Sequence, residues 1–250
     1  MSDGNAAGGA AEGGNAVGTA DDGGAAAENA AERVFAHRGC AGQYPENTVA
    51  AVRQAAPHVD AVEVDVRRCA SGELVVLHDP DVSRVTGGTG SVAEMRYADL
   101  RGLEVLDSGE PVPRLSDLLA AVPDDLLVNV ELKTAGLADA ALRAAGRAAN
   151  PVLFSSFSRP ALRELREADP DARLAVLCSS DPDAALRTAR AVDAEAVHPS
   201  IRLCAETDVV AAAHDEGLAV NGWTVETAAD AERLRGAGVD GLITDRWDVV

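Results

Sequence analysis

The chain has 250 residues, of which 41 are Asp or Glu and 22 are Lys or Arg, and its formal net charge at pH 7 is −19. So acidic a chain is a poor match for nucleic acid, because contact with a phosphate backbone requires an excess of positive charge. Hydrophobic residues make up 47% of the sequence and aromatic residues only 3%, so a core of Ala, Val and Leu in a single domain is expected.

The basic residues are almost all arginine, since Lys133 is the one lysine of the chain. An acid excess with so little lysine resembles the composition of proteins from salt-saturated cytoplasm, and it indicates a halophilic source. In about 1 M salt the Debye length is roughly 3 Å, so acidic side chains on the surface no longer repel one another.

We therefore predict that the protein loses structure at low ionic strength. In dilute buffer the net charge of −19 opposes the compact state, and molar potassium chloride screens that repulsion. The melting temperature measured over a series of salt concentrations tests this expectation. A melting temperature that is the same in dilute buffer and in molar potassium chloride would contradict it.

Residues 1–31 consist almost entirely of Gly, Ala, Asn, Asp and Glu. Such a segment buries too little to offset the entropy lost on ordering, so we predict a disordered tail and one domain over residues 32–250. The N-terminus lacks the basic region and apolar core of a signal peptide, and no stretch is apolar enough to span a bilayer. We expect a cytoplasmic protein without stable membrane insertion, and the four scattered cysteines are expected to be reduced.

Strand-like and helix-like segments alternate through the domain. The candidate strands are 34–37, 61–67, 127–133, 152–155, 173–177, 195–198, 218–223 and 240–243. The candidate helices are 46–56, 115–121, 137–148, 159–168, 182–191, 206–215 and 227–236. Capping residues precede several of these helices, namely Ser158, Ser180 or Asp181, and Thr224 or Thr227.

This alternation predicts an α/β fold, a (β/α)8 or TIM barrel. A doubly wound open sheet is the alternative, but no Gly-x-Gly-x-x-Gly follows the first strand. Residues 68–114 interrupt the alternation and contain an extra strand-like run at 73–78. An insertion of this size after the second strand is expected at the C-terminal end of the barrel, where active sites of this fold lie.

Two carboxylates, Glu63 and Asp65, stand two residues apart in the apolar second strand. Because side chains alternate along a strand, both point to one face, and burying two like charges there requires a positive partner. A divalent cation with oxygen ligands meets that requirement. The alternative is that both acids end the strand in solvent, which an isolated Glu-x-Asp would favour. A third acid, Glu131 on the third barrel strand, favours the cation.

Other polar residues are expected at the same mouth of the barrel, because the C-terminal ends of its strands meet there. His37 ends the first strand and is followed by Arg38, and His78 ends the extra strand of the insertion. Lys133 follows Glu131 on an inward strand face, where a compact ammonium suits a site too narrow for a planar guanidinium.

An ordered set of short motifs resembles the glycerophosphodiester phosphodiesterase family. The motifs are His37-Arg38-Gly39, Pro45-Glu46-Asn47-Thr48, Glu63-x-Asp65, Val75-Val76-Leu77-His78-Asp79, Pro113-x-Leu115, Glu131-x-Lys133, Ser156-Phe157, Trp223-Thr224-Val225 and Gly238-Val239-Asp240-Gly241-Leu242-Ile243-Thr244-Asp245. They occur in family order over roughly residues 33–250, and the whole set is specific where a single tripeptide is weak.

The resemblance implies a hydrolase of lipid and glycerol metabolism that converts glycerophosphodiesters, a small-molecule substrate class, to glycerol phosphate and an alcohol. One divalent cation, Mg²⁺ or Ca²⁺, is implied as cofactor, with Glu63, Asp65 and Glu131 as its ligands. Arg38 and Lys133 are expected to contact phosphate oxygens of the substrate.

His37 and His78 are expected to act as base and acid on opposite sides of the phosphorus, with their order left open. In the family the attacking oxygen is a glycerol hydroxyl of the substrate, and water then opens the cyclic phosphate. Glu46 is expected to orient Arg38 or a histidine, or to assist at the metal. Phe157 and Trp223 are expected to contact the glycerol carbons.

Two other functions remain open from the sequence. A phospholipase D-like lyase acting on lipids would share the barrel and the metal, but it would need an apolar rim for membrane contact, and the chain offers little. A non-catalytic barrel that binds a phosphorylated ligand would be favoured if one of the principal motif residues were missing, and all are present.

Overall fold

The computed structural model of the chain describes Met1 and residues 32–250. The predicted disordered tail, apart from Met1, lies outside these described residues. Residues 32–250 contain nine β-strands. In chain order the strands are β1 Arg33–Ala36, β2 Ala61–Arg68, β3 Leu74–Val76, β4 Leu127–Leu132, β5 Val152–Ser156, β6 Leu174–Cys178, β7 Ala196–Pro199, β8 Ala219–Val225 and β9 Gly241–Thr244.

Eight of the strands form a closed parallel barrel. They are neighbours in the order β1-β9-β8-β7-β6-β5-β4-β2, and parallel pairing of β1 with β2 closes the ring. The predicted (β/α)8 barrel is therefore confirmed. The open-sheet alternative is wrong, because an open sheet would leave β1 and β2 as unpaired edges.

Nine α-helices lie among residues 32–250. In chain order they are α1 Val49–Ala55, α2 Tyr97–Leu100, α3 Leu115–Leu119, α4 Ala138–Ala145, α5 Arg159–Ala168, α6 Pro182–Val192, α7 Ile201–Glu206, α8 Val209–Asp215 and α9 Ala228–Ala237. The caps predicted at Ser158, Asp181 and Thr227 each accept a backbone N–H in the first turn of a helix. No helix of the described residues is long and apolar enough to cross a membrane.

Two predicted helices differ from those observed. The first helix begins at Val49 and not at residue 46, because Asn47 is left-handed (φ 59°) and Thr48 caps the helix through the backbone N–H of Ala51. The helix predicted over 206–215 begins later, as α8 at Val209, and it is preceded by an unpredicted helix, α7, which ends at Glu206 before the extended residue Thr207. An extended residue cannot continue the helical hydrogen-bond ladder.

The insertion between β2 and α3 has a small core of its own. β3 pairs antiparallel with the last three residues of β2, beyond the part of β2 that pairs with β1. The buried apolar residues of the insertion are Cys69, Val75, Leu77, Val82, Val85, Val92, Leu100, Val105 and Val112. This separate core fixes the insertion above the C-terminal end of the barrel, where His78 follows β3.

The interior of the barrel changes from apolar to polar towards the C-terminal ends of its strands. Its lower layer consists of Phe35, Ala61, Leu127, Leu153, Ala175, Ala196 and Ile243. Two residues further along four of these strands, on the same face, stand Glu63, Asn129, Ser155 and His198. Alternation along the strands therefore places the polar groups at the mouth of the barrel, above an apolar floor.

His198 on β7 is fully buried in this polar layer. Its Nε2 lies 2.9 Å from Nδ2 of Asn221, and its Nδ1 has no hydrogen-bond partner among residues 32–250. Burial lowers the pKa of His198 to about 3, because no carboxylate offsets the cost of placing a charge there. The folded protein therefore keeps this imidazole neutral.

We predict that His198 makes the protein less stable in acid. Between pH 6.5 and pH 3 the unfolded chain binds a proton at His198 and the folded chain does not, so the stability present above pH 6.5 is lost as the pH falls. At pH 5 the loss is about 2 kcal/mol. Denaturant unfolding at several pH values measures it, and H198Q is expected to lose correspondingly less stability between pH 7 and pH 5. Equal losses in the two proteins would refute the prediction.

Candidate active site

The three carboxylates predicted as metal ligands meet at the mouth of the barrel. Glu63 and Asp65 lie on the inward face of β2, and Glu131 on β4 is paired in register with Asp65. One carboxylate oxygen from each lies within 4.8 Å of the other two, and all three residues are buried. Strand alternation and the pairing of β2 with β4 are sufficient to bring the three together.

Asp65 has cationic and amide partners on both of its oxygens. Lys133 Nζ lies 2.7 Å from Oδ1, while Arg38 Nε at 3.2 Å and Asn47 Nδ2 at 2.8 Å approach Oδ2. Burial opposes ionisation, but Lys133 and Arg38 outweigh it, so the pKa of Asp65 is well below its usual range. Asp65 is therefore a permanent carboxylate in the middle of the site.

The other two carboxylates carry negative charge that is less fully compensated. Burial, and then repulsion from Asp65, raise the pKa of Glu63 to about 8 and that of Glu131 to about 6. Glu63 Oε2 accepts the backbone N–H of Arg38 at 3.0 Å, but its buried Oε1 has no hydrogen-bond partner among the described residues. An unpartnered buried carboxylate oxygen beside two other acids is the donor set that a hard divalent cation fits.

The loop after β1 has an unusual backbone that aims Arg38 at the carboxylates. Arg38 is left-handed (φ 51°), which turns its N–H towards Glu63 and its guanidinium towards Asp65. Gly39 follows with φ 78°, and a Cβ there would lie 2.9 Å from Cβ of Ala51 on α1. The tight turn therefore leaves no room for a side chain at the third position of the His-Arg-Gly sequence, which explains the glycine.

Both predicted catalytic histidines have a carboxylate on Nδ1. His37 Nδ1 lies 2.6 Å from Asp245, and His78 Nδ1 lies 2.6 Å from Asp79. In each pair the carboxylate accepts the Nδ1–H, which leaves Nε2 as the atom available for proton transfer. Both rings line the cavity that contains Glu63 and Glu131.

The two imidazoles are in different electrostatic surroundings. At His37 burial lowers the pKa, but the hydrogen bond that the ring donates to Asp245 and the charge of Glu63 outweigh burial, so the pKa is raised. At His78 burial prevails over the attraction of Asp65, and the pKa is lowered. Opposite shifts in two histidines of one cavity are the arrangement that separates an acid from a base.

Glu46 contacts two arginines. Its carboxylate accepts Arg38 NH1 at 3.2 Å and both terminal nitrogens of Arg84 at 2.7 and 2.8 Å. Arg84, in the insertion, also contacts the carboxylate of Asp79, which holds His78. Of the roles expected for Glu46, the structure shows the contact with Arg38, and it adds a link to the insertion.

Phe157 and Trp223 form an aromatic pair on the wall of the same cavity. Their rings meet edge to face at 5.6 Å, and Trp223 Nε1 donates to the carbonyl of His198 at 2.6 Å. Phe157 is 48% exposed, so one face of the pair is open to a ligand. In strand order Trp223 on β8 lies three strands from β2, whereas Phe157 follows β5, two strands from β2 on the other side.

Four residues that hydrogen-bond to side chains of the site were given no role there from the sequence: Asn47, Asp79, Arg84 and Asp245. Asp245 had a signal that was not used, because it ends the last strand, and barrel closure places that strand beside β1 and His37. Arg84 had none, since it lies in an irregular part of the insertion without strand or helix periodicity.

Known proteins are similar to this chain over almost all of residues 32–250. Residues 37–249 match the glycerophosphoryl diester phosphodiesterase family. A glycerophosphodiester phosphodiesterase of Caldanaerobacter subterraneus subsp. tengcongensis is 31% identical over 85% of this chain and 93% of its own length. A probable glycerophosphodiester phosphodiesterase 2 of Mycobacterium tuberculosis is 32% identical over 86% and 88%. An Oleispira antarctica phosphodiesterase, solved with the product sn-glycerol-3-phosphate, superposes with a TM-score of 0.81 at 26% identity, over 88% of this chain and 95% of that one.

Proposed function

Because the chain belongs to the glycerophosphoryl diester phosphodiesterase family and is a phosphoric diester hydrolase, we propose that it converts glycerophosphodiesters to glycerol phosphate and an alcohol with a bound divalent cation, Mg²⁺ or Ca²⁺. The observation that carries the proposal is the cavity in which Glu63, Glu131 and both histidines converge. The product held by the Oleispira relative, sn-glycerol-3-phosphate, supports the same product here.

The cation is proposed to be held by Glu63, Asp65 and Glu131, whose oxygens lie close enough to share one ion. Bound there, it supplies Lewis-acid polarisation of the phosphodiester. The unpartnered Oε1 of Glu63 supports this assignment, because leaving it without a partner is costly.

Arg38 and Lys133 are proposed to contact phosphate oxygens, although each already contacts a carboxylate. Lys133 Nζ lies 2.7 Å from an oxygen of Asp65 and from an oxygen of Glu131 and hydrogen-bonds to the latter, so it has N–H groups to spare. Arg38 contacts Asp65 through Nε and Glu46 through NH1, which leaves NH2. The side chains of Lys133 and Arg38 therefore each retain an N–H donor for the substrate, while their carboxylate partners fix their positions.

The histidines are proposed to move protons through Nε2. In the first step one imidazole removes the proton of a glycerol hydroxyl as its oxygen attacks phosphorus, and the other protonates the departing alcohol as the P–O bond breaks. Water then attacks the cyclic phosphate with the two roles exchanged. Asp79 and Asp245 position the rings by holding Nδ1–H.

Phe157 and Trp223 are proposed to pack against the glycerol carbons. An aromatic pair with one open face offers apolar contact beside an otherwise charged cavity. The lipid-acting alternative has no such support, since within residues 32–250 the exposed large apolar residues are Leu106 and Phe157, too few for an apolar rim. The halophilic source and cytoplasmic location remain predictions, and the salt series described above tests the first of them.

The proposed function is tested by following release of glycerol phosphate from glycerophosphocholine and related diesters in high salt, with Mg²⁺ or Ca²⁺ added. Activity is expected to require one of these ions and to stop in excess chelator. Full activity in excess chelator would contradict the metal requirement. Failure to cleave any diester of the panel would contradict the function, and cleavage of lipid vesicles instead would support the lyase.

A further inference from the structure

A second cavity, which we call the arginine cavity, opens beside the active site. It measures about 420 Å³ and is lined by Arg67, Arg68, Cys69, Ala70, Pro80, Ser91, Val92, Ala93, Thr134, Ala135, Gly136 and Leu137. The lining contains two arginines and no Asp or Glu. In a chain with 41 acids and 22 bases this local excess of positive charge is opposite to that of the molecule as a whole.

The arginine cavity adjoins the reacting groups through Arg67. This residue follows Glu63 and Asp65 on the same face of β2, and at about 3.3 Å per residue it stands roughly 7 Å beyond Asp65. Its Nε donates to the carbonyl of His78 at 2.8 Å. Thr134 in the lining of the arginine cavity directly follows Lys133, which lines the cavity of the active site.

Neither Arg67 nor Arg68 forms a salt bridge with a carboxylate of residues 32–250; each donates to a backbone carbonyl. Arg68 NH2 donates to the carbonyl of Gly136 at 2.5 Å, and Arg67 likewise contacts only a carbonyl. By contrast, Arg38 and Arg84 at the active site are paired with acids.

We propose that the arginine cavity binds a second anionic group, a phosphomonoester, on the alcohol half of the substrate. This inference rests on the proposed function, because it assumes that the diester phosphorus lies between His37 and His78. The free N–H groups of two guanidiniums match phosphate oxygens bidentately, and the hydroxyls of Ser91 and Thr134 in the lining add donors.

The test compares two substrates that differ by one phosphate: glycerophosphoglycerol and the same diester with a phosphomonoester on the departing glycerol. At one salt concentration that keeps the protein folded, kcat/KM is expected to be about tenfold or more higher for the phosphorylated substrate, the size of one charge-assisted hydrogen bond. R67Q and R68Q are expected to bring the ratio of the two constants close to one. R233Q, at an exposed arginine of α9, is expected to leave the ratio unchanged.

The ratio is the readout because R67Q also removes a contact with the loop of His78 and can slow both substrates equally. Calorimetry with glycerol 1,3-bisphosphate and glycerol 3-phosphate adds a measurement that needs no turnover. Tighter binding of the bisphosphate, lost in the R67Q/R68Q double variant, would support the arginine cavity even if neither diester were cleaved, an outcome that would refute only the proposed function. Equal kcat/KM values for the diesters together with equal affinities for the two probes would overturn the inference.

Discussion

Replacing Glu63 by glutamine is expected to abolish binding of the divalent cation and to lower kcat/KM by about 10³-fold or more, since Lewis-acid polarisation contributes several kcal/mol to such reactions. Glutamine retains a side-chain oxygen that can accept the backbone N–H of Arg38. It removes the negative charge of the carboxylate, whose Oε1 has no hydrogen-bond partner among the described residues. The change therefore acts on the cation and leaves the turn after β1 in place.

Thermal unfolding with and without the cation shows whether Glu63 binds the cation or only stabilises the fold. At a concentration of about 100 times Kd the cation is expected to stabilise the wild type by about 2.7 kcal/mol and E63Q not at all. Without the cation, E63Q is expected to be at least as stable as the wild type, because it removes a buried carboxylate whose pKa is raised to about 8.

The matched control for this prediction is E232Q, at an exposed glutamate of α9. It removes the same charge far from the mouth of the barrel and is expected to preserve both the metal-induced stabilisation and the activity. If E63Q still binds the cation with the affinity of the wild type, Glu63 is not a ligand of the cation. E63Q that is unfolded without metal would point to a structural role.

The parts of the site that follow from regular structure were predictable from the sequence. Alternation along β2 fixes Glu63 and Asp65 to one face, and parallel pairing with β4 brings Glu131 opposite Asp65. Closure of the ring then places His37 at the same mouth. These inferences need only the period of a strand and the handedness and closure of a barrel.

The pairing of charges was not predictable in the same way. Arg38 and Lys133 were expected to face substrate phosphate, and both contact Asp65. Which carboxylate a long, flexible cation meets depends on side-chain conformations chosen by the whole cluster, and a sequence pattern does not encode them. The same holds for Arg84, whose links to Glu46 and Asp79 depend on the irregular path of the insertion.

Replacing either active-site histidine by alanine is expected to lower kcat on glycerophosphocholine by about 10²- to 10⁴-fold, the usual contribution of general acid–base catalysis. A departing choline alkoxide needs a proton, whereas a nitrophenolate does not. On a glycerophosphodiester with a nitrophenyl group, one of H37A and H78A is therefore expected to release nitrophenol at close to the wild-type rate, and the other is expected to remain slow.

The variant that recovers identifies the acid of the first step, and a second measurement checks that identification. In the second step the same histidine serves as the base that activates water, so its loss should leave the cyclic phosphate unopened. Phosphorus NMR is expected to show the cyclic glycerol phosphate accumulating in the recovering variant alone. H214A, which removes an exposed histidine paired with Asp240, is the control and is expected to behave as the wild type with both substrates. Recovery of both variants, or of neither, would mean that the two histidines do not divide the roles of acid and base between them.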